Sequence, residues 1–332
     1  CVVRYLIFIV CLLIGCKGLD SSRSLIHNVG FAQGTSYSIK YMSSEDYHHE
    51  IDSLLTVIDN SLSTYNTNSL LSQLNSGDTS LLLDTHFVCV FKASQHISLL
   101  SDGLFDCTVA PLVEAWGFGP DDRQEVDSLY IATLLKEVGY QDLWLRGDSL
   151  LSNPQQKTMD FNALAQGYTV DVIAELLDSH HISDYLIELG GELKSKGFNS
   201  RNKKWRVGID KPSNKIDVND RFQVILNLHN KSLATSGNYR NFYEKDGKIF
   251  SHTINPRTGL PVQHSLLSAT VIADNCMKAD AYATTFMVMG VEKTKDFLSK
   301  HPNLEAFLIF INDDGSWENW STDGFKSLVI IN

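Results

Sequence analysis

A turn-forming segment offers several hydrogen-bond donors that suit an anionic ligand. The segment from Ser251 to Pro261 contains two prolines and one glycine, together with His252 and Arg257. Proline and glycine fix the backbone of a turn, so the side chains along it would form a rigid, anion-facing loop. The same composition is also typical of an ordinary surface turn, and the residue types leave both interpretations open.

A second segment carries a pair of oxygen side chains inside an otherwise apolar stretch. Asp280 and Thr284 are four residues apart, so in a helix their oxygens lie on one face. A carboxylate and a hydroxyl form a hard-oxygen pair that Mg²⁺ accepts beside diphosphate oxygens. An Asp in the first turns of a helix is also explained by the helix dipole alone.

Two further segments would allow a ligand to approach the backbone. The segment from Asp160 to Tyr168 begins a predicted helix with small residues, and the free N–H groups of a helix start favour an anion. A closely packed helix pair would use the same small residues. Glu188 lies at a strand end just before Gly190 and Gly191, a glycine pair at which the backbone can contact a cofactor.

Two aromatic segments are candidates for the walls of a pocket. Tyr65 could face a flat ring. The segment from Asp102 to Leu112 contains Asp106 and Thr108 and is followed by Trp116, Gly117 and Phe118. Aromatic side chains are more often part of a hydrophobic core, and periodicity does not decide between the two interpretations.

The hydrophobic pattern predicts which elements position these segments. Helical spacing predicts helices, and short apolar or alternating runs predict strands. The predicted helices are Glu45–Leu62, His86–Leu100, Val126–Val138, Ala163–Leu177, Met277–Met289 and Glu292–Leu298, with a loop over Phe105–Asp122. The predicted strands are Thr35–Met42, Tyr185–Leu189, Trp205–Ile209, Phe222–Leu228, Ser232–Thr235, Leu267–Ala273, Ala306–Ile311 and Ser327–Ile331. Because strands and helices do not alternate regularly, the sequence predicts an α+β fold.

Composition limits the classes of function. The chain has 332 residues, of which 43% are hydrophobic and 20% charged, which is typical of a globular protein and not of a disordered tail or a fibre. The net charge of −11 argues against nucleic acid as a partner, because it provides no basic surface for phosphates. Six cysteines without a CxxC pair argue against a disulfide framework and a zinc ribbon.

The N-terminal segment has the features of an export signal. Arg4 precedes an apolar run from Tyr5 to Leu13, which is too short to span a bilayer. The residues up to Cys16 resemble the lipobox of bacterial lipoproteins. We therefore expect a signal peptide over 1–15 and a lipidated tether over 16–28. This places the protein in the bacterial cell envelope, anchored to a membrane and facing the periplasm or the cell exterior. An ordinary cleaved signal or a short buried helix is the alternative.

Taken in order, the segments resemble the ApbE family of flavin transferases. The resemblance extends from about Gly34 to Gly290 and depends on six dispersed motifs rather than on any one of them. The motifs begin at Leu62, Gly103, Asp160, Gly190, Ala234 and His252, and the last is followed by Asp280 and Thr284. The resemblance implies one ApbE-like domain over 29–332, with largely antiparallel mixed sheets, packed helices and an FAD cleft between two halves.

The resemblance also implies an activity and roles for individual residues. Members of the family transfer the FMN half of FAD to a Ser or Thr hydroxyl of an acceptor protein and release AMP. By this resemblance Asp280, Thr284 and the backbone carbonyl of Ala165 would bind Mg²⁺, and His252 would be the general base. Tyr65 would contact the isoalloxazine ring. The FAD cleft would be lined by Asp106, Thr108, Glu188, Gly190, Gly191 and Ser236, with Arg257 contributing there or holding its loop in shape.

One departure from the family pattern leaves alternatives open. Asn162, Ala163 and Gln166 replace the usual Gly, Gly and Lys, and the loss of Lys removes a charge that would meet a phosphate. The expected partners are FAD and an acceptor flavoprotein subunit of a membrane or exported redox complex. The alternatives are a Mg²⁺-dependent FAD pyrophosphatase, in which water replaces the acceptor hydroxyl, and a non-catalytic lipoprotein that binds FAD.

Overall fold

The computed structural model describes residues 23–78, 80–118, 126–152, 157–212, 221–238, 242–245, 248–251, 253–312 and 314–331. Two predicted functional residues, Cys16 and His252, lie outside the described residues, as does the predicted signal peptide over 1–15. Within the described part of the chain, no helix is both long and apolar enough to cross a bilayer.

Eight of the described strands form one large sheet. The strands are β1 (Ser24–Ala32), β2 (Thr35–Ser43), β3 (Leu143–Arg146), β4 (Ser149–Ser152), β5 (Tyr185–Leu189), β6 (Glu192–Lys196), β7 (Trp205–Asp210), β8 (Phe222–Leu228), β9 (Ser232–Gly237), β10 (Phe242–Lys245), β11 (Lys248–Ser251), β12 (Ile254–Asn255), β13 (Leu260–Pro261), β14 (Leu266–Ala273), β15 (Glu305–Ile311), β16 (Trp317–Ser321) and β17 (Val329–Ile331). The large sheet has the order β1-β2-β5-β6-β9-β14-β15-β16. Its neighbouring strands are antiparallel throughout, which confirms the predicted largely antiparallel α+β fold.

Helices cover one face of the large sheet. The helices of the described residues are α1 (His48–Leu62), α2 (Leu70–Asn75), α3 (Thr85–Leu100), α4 (Ala110–Ala115), α5 (Ser128–Leu134), α6 (Asn162–Ser179), α7 (Cys276–Met289), α8 (Val291–Lys300) and α9 (Asp323–Lys326), and α9 packs on the opposite face. Ala269 and Val271 of β14 pack against α6 and α7 in the main hydrophobic core, which also contains Leu164 and Phe286. Because alternate residues of a strand point to opposite faces, β14 contributes to the cores on both sides of the sheet.

A smaller sheet covers part of the opposite face. Its order is β17-β8-β7, and all its pairs are antiparallel. Ile272 of β14 and Phe307 of β15 pack there against Leu226 and Phe325. The inner strands of the large sheet are therefore held between helices and the smaller sheet, which gives a rigid platform for the loops at the strand ends.

The start of α7 is tied to α6, and these two helices carry the predicted metal ligands. The Asn275 side chain accepts a hydrogen bond from the N–H of Lys278 at 2.9 Å and caps the helix. The next two N–H groups, of Cys276 and Met277, donate to the carboxylate of Asp171 on α6 at 3.0 and 2.9 Å. All these bonds satisfy N–H groups that a helix start leaves without partners, and the two bonds to Asp171 fix α7 against α6.

Three sequence predictions differ from the structure. Residues 24–28 belong to β1 and not to a tether, because β1 pairs with β2 along its whole length. The predicted loop Phe105–Asp122 contains α4, whose proline lies in the first turn, where a missing N–H costs nothing. The predicted helix Val126–Val138 is shorter, since α5 ends at Leu134.

Candidate functional site

A cavity of about 960 Å³ lies where distant parts of the chain meet. This volume is within the range of about 300–1,000 Å³ that is typical of small-molecule sites. The cavity is lined by the loop around Tyr65, the starts of α4 and α6, the segment after residue 252 and the second half of α7. We refer to it as the large cavity. Its lining includes Tyr65, Asp106, Asp160, Thr253, Pro256 and Thr284.

The helices α6 and α7 are in close contact at Gly167. A Cβ atom at this position would lie 2.5 Å from the carbonyl oxygen of Cys276 and 2.8 Å from the Cβ of Asp280. Real Cβ atoms do not come so close to backbone, so only glycine allows this contact. The Gly167 N–H then donates to Oδ2 of Asp280 at 3.0 Å. The close contact thus holds the Asp280 carboxyl against the first turns of α6.

A Gly167→Ala substitution should lower the free energy of unfolding by about 1–3 kcal/mol, because the added methyl group forces the helices apart. Urea unfolding followed by circular dichroism measures this change. Gly34→Ala is the control for backbone strain without a close contact, since Gly34 has a φ of +74°, unlike the helical Gly167, and a Cβ there meets nothing within 4 Å. Equal stability of Gly167→Ala and wild type would contradict the close contact.

Asp280 lies in a buried and acidic environment. Burial raises the pKa of the Asp280 carboxyl to about 7, although the Gly167 N–H opposes the rise. Burial also raises the pKa of Glu192 well above its ordinary value, and repulsion by Asp280 adds to this rise. This environment disfavours the charged form of both carboxyls. A bound cation would reverse that preference, because it stabilises the ionised carboxylate.

The raised pKa of Asp280 predicts a pH dependence of stability in the metal-free protein. A carboxyl with a folded pKa near 7 and an ordinary unfolded value stabilises the fold at low pH. That contribution is lost as the pH rises from about 4 to 7 and amounts to a few kcal/mol. Asp280→Asn should therefore raise stability in EDTA at pH 7.5 and have little effect at pH 4.5. Urea unfolding of both proteins measures this difference, and an equal effect at both pH values would contradict it.

The three predicted metal ligands lie on α6 and α7, two helices that are in contact at Gly167 and Asp280. Thr284 is half-buried, one turn after Asp280, and lines the large cavity. Ala165 is two residues before Gly167, and its carbonyl oxygen accepts a hydrogen bond from Oγ1 of Thr169 at 2.7 Å. Among the described residues, no group of three or more His, Cys, Asp or Glu side chains could hold a metal ion. The predicted set has only one carboxylate, and its hard oxygens suit Mg²⁺.

Asp106 and Thr108 form a buried network next to the cavity. Oδ1 of Asp106 accepts the N–H and the hydroxyl of Thr108 at 2.8 and 2.6 Å, and Oδ2 accepts the N–H of Tyr140 at 2.9 Å. Burial raises the pKa of Asp106, while these hydrogen bonds oppose the rise. Asp106 lines the large cavity, whereas Thr108 is fully buried behind it. The network shapes the cavity wall, and Thr108 acts on it through Asp106.

Tyr65 has the exposure expected of a residue that meets a ligand. Its side chain is 71% exposed at the rim of the large cavity. The preceding loop is fixed by Ser63, whose hydroxyl oxygen accepts the N–H groups of Tyr65 and Asn66 at 3.2 and 3.0 Å. An exposed phenol on a fixed loop provides a flat surface against which an aromatic ring can stack.

Four other predicted FAD residues lie outside the lining of the large cavity. Gly190 and Gly191 have φ values of +68° and +124°, so the predicted glycine turn is confirmed. Glu188 is exposed on β5, and Ser236 is half-buried on β9 opposite Ala269. The predicted set is therefore divided between the large cavity and the strand ends beyond it.

Arg257 contacts another loop and does not line the large cavity. Its Nη1 donates to Oδ2 of Asp102 at 2.7 Å, and the Arg257 side chain is 57% exposed. Trp116 also holds this segment in place, because its Nε1 donates to the carbonyl of Gly259 at 2.8 Å. This geometry favours the interpretation in which Arg257 holds the loop in shape. The segment itself reaches the cavity through Thr253 and Pro256.

Sequence reasoning missed two carboxyl groups as site residues. Asp160 lines the large cavity, and its Oδ1 accepts the N–H of Asn162 at 2.6 Å. Burial raises the pKa of Asp160, although its bonds with Asn162 oppose the rise. Glu192 is buried beside Asp280. The sequence feature that could have identified Glu192 is its position directly after the glycine pair, because a strand inside the sheet begins there.

Comparison with known proteins gives consistent results. The model of the ApbE family matches residues 33–308. A Vibrio cholerae protein named FAD:protein FMN transferase is 34% identical over 324 residues, which cover 94% of this chain and 95% of the relative.

Two solved structures have the same fold. The flavin transferase ApbE from Vibrio cholerae has a TM-score of 0.82 and 34% identity, and the match covers 92% of this chain and 99% of that one. The apo form of the flavinyl transferase ApbE from Pseudomonas stutzeri has a TM-score of 0.83 and 32% identity, with 92% and 97% coverage. Because the family model matches most of the sequence and the fold agrees, this chain belongs to the ApbE family.

Proposed function

We propose that this chain transfers the FMN half of FAD to a Ser or Thr hydroxyl of an acceptor protein. The observation that carries the proposal is the Asp280 carboxyl, held by the Gly167 N–H at 3.0 Å beside a cavity of about 960 Å³. The relatives that bear the name FAD:protein FMN transferase support the same reaction. The acceptor we propose is a flavoprotein subunit of a membrane or exported redox complex.

The reaction exchanges one phosphate bond for another. The acceptor hydroxyl oxygen attacks the phosphorus on the FMN side of the diphosphate and forms a phosphodiester bond. The bond to the AMP phosphate breaks, and AMP leaves with the electron pair. His252 takes the proton of the hydroxyl, a role that suits imidazole because it titrates near neutral pH. Thr253, which follows His252 in the chain, lines the large cavity and supports this assignment.

Asp280, Thr284 and the carbonyl of Ala165 are the residues that would hold Mg²⁺. The buried Asp280 carboxyl supports this fit. It accepts a hydrogen bond from the Gly167 N–H, and a cation would stabilise its ionised form. When bound there, the metal ion would neutralise charge on the diphosphate. Tyr65 would stack on the isoalloxazine ring, and Asp106 would shape the wall behind it. Gln166 stands where the family usually has Lys, so fewer positive charges of the protein would face the phosphates of FAD.

The test is an incubation with FAD and Mg²⁺, with and without a purified acceptor domain. We expect AMP to appear only with the acceptor, together with an FMN-sized gain in the mass of the acceptor. Release of AMP without acceptor would instead identify a FAD pyrophosphatase. Binding of FAD without any AMP would identify a non-catalytic FAD-binding protein.

We also propose that Cys16 carries a lipid that anchors the protein in the bacterial cell envelope. The support is the short apolar run that ends just before Cys16, since two or more acyl chains hold a protein firmly on a membrane. Mass spectrometry of the protein from a membrane fraction tests this proposal. Release of a Cys16→Ser variant into the soluble fraction is the expected result, and unchanged membrane association would contradict it.

A further inference from the structure

A row of exposed apolar side chains lies along β1. Leu25, Val29 and Phe31 are 45%, 57% and 79% exposed. They are separated by even numbers of residues, so their side chains point to the same side of the strand. We refer to this row as the β1 face. Single exposed apolar residues are common, whereas several of them on one side of one strand indicate a surface that meets an apolar partner.

The described residues leave the β1 face uncovered at an edge of the large sheet. Among the described strands, β1 pairs only with β2. The other side of these two strands is buried, because Tyr37 and Ile39 of β2 pack with Ile173 of α6 in a hydrophobic core. The smaller sheet packs further along the large sheet, against strands such as β9 and β14. An exposed apolar edge strand promotes unwanted association unless a partner covers it.

The sequence before β1 limits the distance of this face from a membrane. Leu25 follows Cys16, the proposed site of lipid attachment, by nine residues. A fully extended chain advances about 3.4 Å per residue, so the Cα atoms of Leu25 and Cys16 are at most about 30 Å apart. A lipid on Cys16 would therefore keep the beginning of β1 close to the bilayer surface.

The charges near the β1 face suit an anionic lipid surface. The chain has 39 Asp and Glu residues and a net charge of −11, but residues 21–43 contain no Asp or Glu. Arg23 is exposed just before β1, and Lys40 pairs with His27, so the Lys40 side chain points to the same side as the β1 face. Glu188, on β5, is one strand further from β1. Because anionic headgroups attract Lys and Arg, an acidic protein would turn this segment towards them.

We propose that the β1 face docks on the lipid bilayer when Cys16 carries its lipid, with Val29 and Phe31 inserted among the headgroups. This inference rests on the lipidation of Cys16 that is proposed above, and not on the transfer reaction. Apolar side chains of a surface-bound protein reach about 5–10 Å into the boundary between headgroups and acyl chains. A few such side chains hold a protein only weakly, so the lipid anchors the protein and the β1 face sets its orientation.

This orientation would bring the candidate site to the bilayer. The turn that follows β1 contacts α6, because Nε2 of Gln33 donates to Oγ1 of Thr169 at 2.7 Å. The carbonyl oxygen of Gln33 also accepts a hydrogen bond from Nε2 of Gln166 at 3.4 Å. Ala165, a predicted metal ligand, lies on the same turns of α6. An acceptor subunit in the membrane would thus meet the candidate site at the bilayer surface.

The test is photocrosslinking of the lipidated full chain, without FAD, in vesicles of phosphatidylethanolamine with about 25% phosphatidylglycerol. One variant is Phe31→p-benzoylphenylalanine, a photoreactive residue that attacks the C–H bonds it contacts. The matched control is Trp317→p-benzoylphenylalanine. Trp317 is 50% exposed on β16, at the opposite edge of the large sheet. Neighbouring strands lie about 4.8 Å apart, so the two edges are about 30 Å apart.

Mass spectrometry after irradiation should detect about tenfold more lipid adduct on the Phe31 variant than on the Trp317 variant, because an inserted side chain is surrounded by lipid. If the Phe31 variant does not fold, Val29→p-benzoylphenylalanine should give the same result. Equal amounts of adduct at both edges, or no adduct on β1, would overturn the inference.

Two other outcomes would also overturn the inference. A covalent dimer without a lipid adduct would show that the β1 face meets a second copy of the chain. The mass of the same sample reports the lipid on Cys16, and its absence would remove the constraint that brings β1 to the bilayer. Because the measurement uses neither FAD nor an acceptor, failure here leaves the proposed transferase activity unaffected.

Discussion

Asp280→Asn is expected to lower the rate of Mg²⁺-dependent FMN transfer by about 10³-fold, which corresponds to ~4 kcal/mol. The asparagine has the same shape, and its amide oxygen can still accept the Gly167 N–H that the carboxylate now accepts at 3.0 Å. The substitution therefore removes charge and leaves the contact between α6 and α7 intact. The rate is measured as AMP release together with the mass of the acceptor.

Asp274→Asn is the matched control for this prediction. Asp274 lies just before α7, and its carboxylate pairs with Lys231 at the surface, where the Asp274 side chain is 72% exposed. Exposed ion pairs contribute little to stability, so this variant should transfer FMN at the rate of wild type. Raising Mg²⁺ tenfold should partly restore Asp280→Asn if the lost group binds the metal. A rate of Asp280→Asn within threefold of wild type would remove Asp280 from the site.

The sequence predicted well the elements whose hydrophobic pattern is local. The helix predicted over Met277–Met289 is α7, Cys276–Met289, and the one predicted over Ala163–Leu177 is α6, Asn162–Ser179. Their start and end signals are short-range, such as the cap by Asn275 and the positive φ of Gly290. Helices with apolar periodicity and clear caps can therefore be predicted from a single sequence.

Elements that depend on distant partners were missed. The strand β1 has exposed and half-buried positions, and only its pairing with β2 makes it a strand. The strand β9 was predicted over Ser232–Thr235, but its place between β6 and β14, which are far from each other in the sequence, was not. The short helix α4 is stabilised by packing of Leu112 and Ala115 against α5 and Ile254. Local propensity does not contain such long-range contacts.

In the candidate site, too, features with a local sequence pattern were predicted and features that depend on distant contacts were not. Spacing placed Asp280 and Thr284 on one helix face, and the structure confirms that α7 carries both. Spacing did not reveal that Gly167 sets the distance between the helices, because the close contact with Cys276 joins residues more than one hundred positions apart. Nor did it identify Glu192, whose significance comes from its burial beside Asp280. Residue types suggested the chemistry, whereas burial and distance came from the fold.

His252→Ala is expected to lower the rate of FMN transfer by about 10²–10⁴-fold while FAD binding stays within about threefold of wild type. The substitution removes the proposed proton acceptor, but the segment after it remains fixed. Oγ1 of Thr253 donates to Oδ1 of Asn238 at 2.6 Å, and the N–H of Val262 donates to the carbonyl of Thr253 at 3.0 Å. Stopped-flow measurement of AMP release gives the rate, and quenching of flavin fluorescence gives the FAD affinity.

The pH dependence of transfer separates a base from a residue that only holds the loop. With a general base, the wild-type rate should rise with pH through the range in which imidazole loses its proton, and His252→Ala should lose this dependence. A high concentration of free imidazole should partly restore the variant, since a small base can enter the space left by the side chain. His49→Ala, an exposed histidine on α1, should behave as wild type in both measurements. If His252→Ala keeps the wild-type pH profile at a reduced rate, His252 positions the loop, and another group accepts the proton.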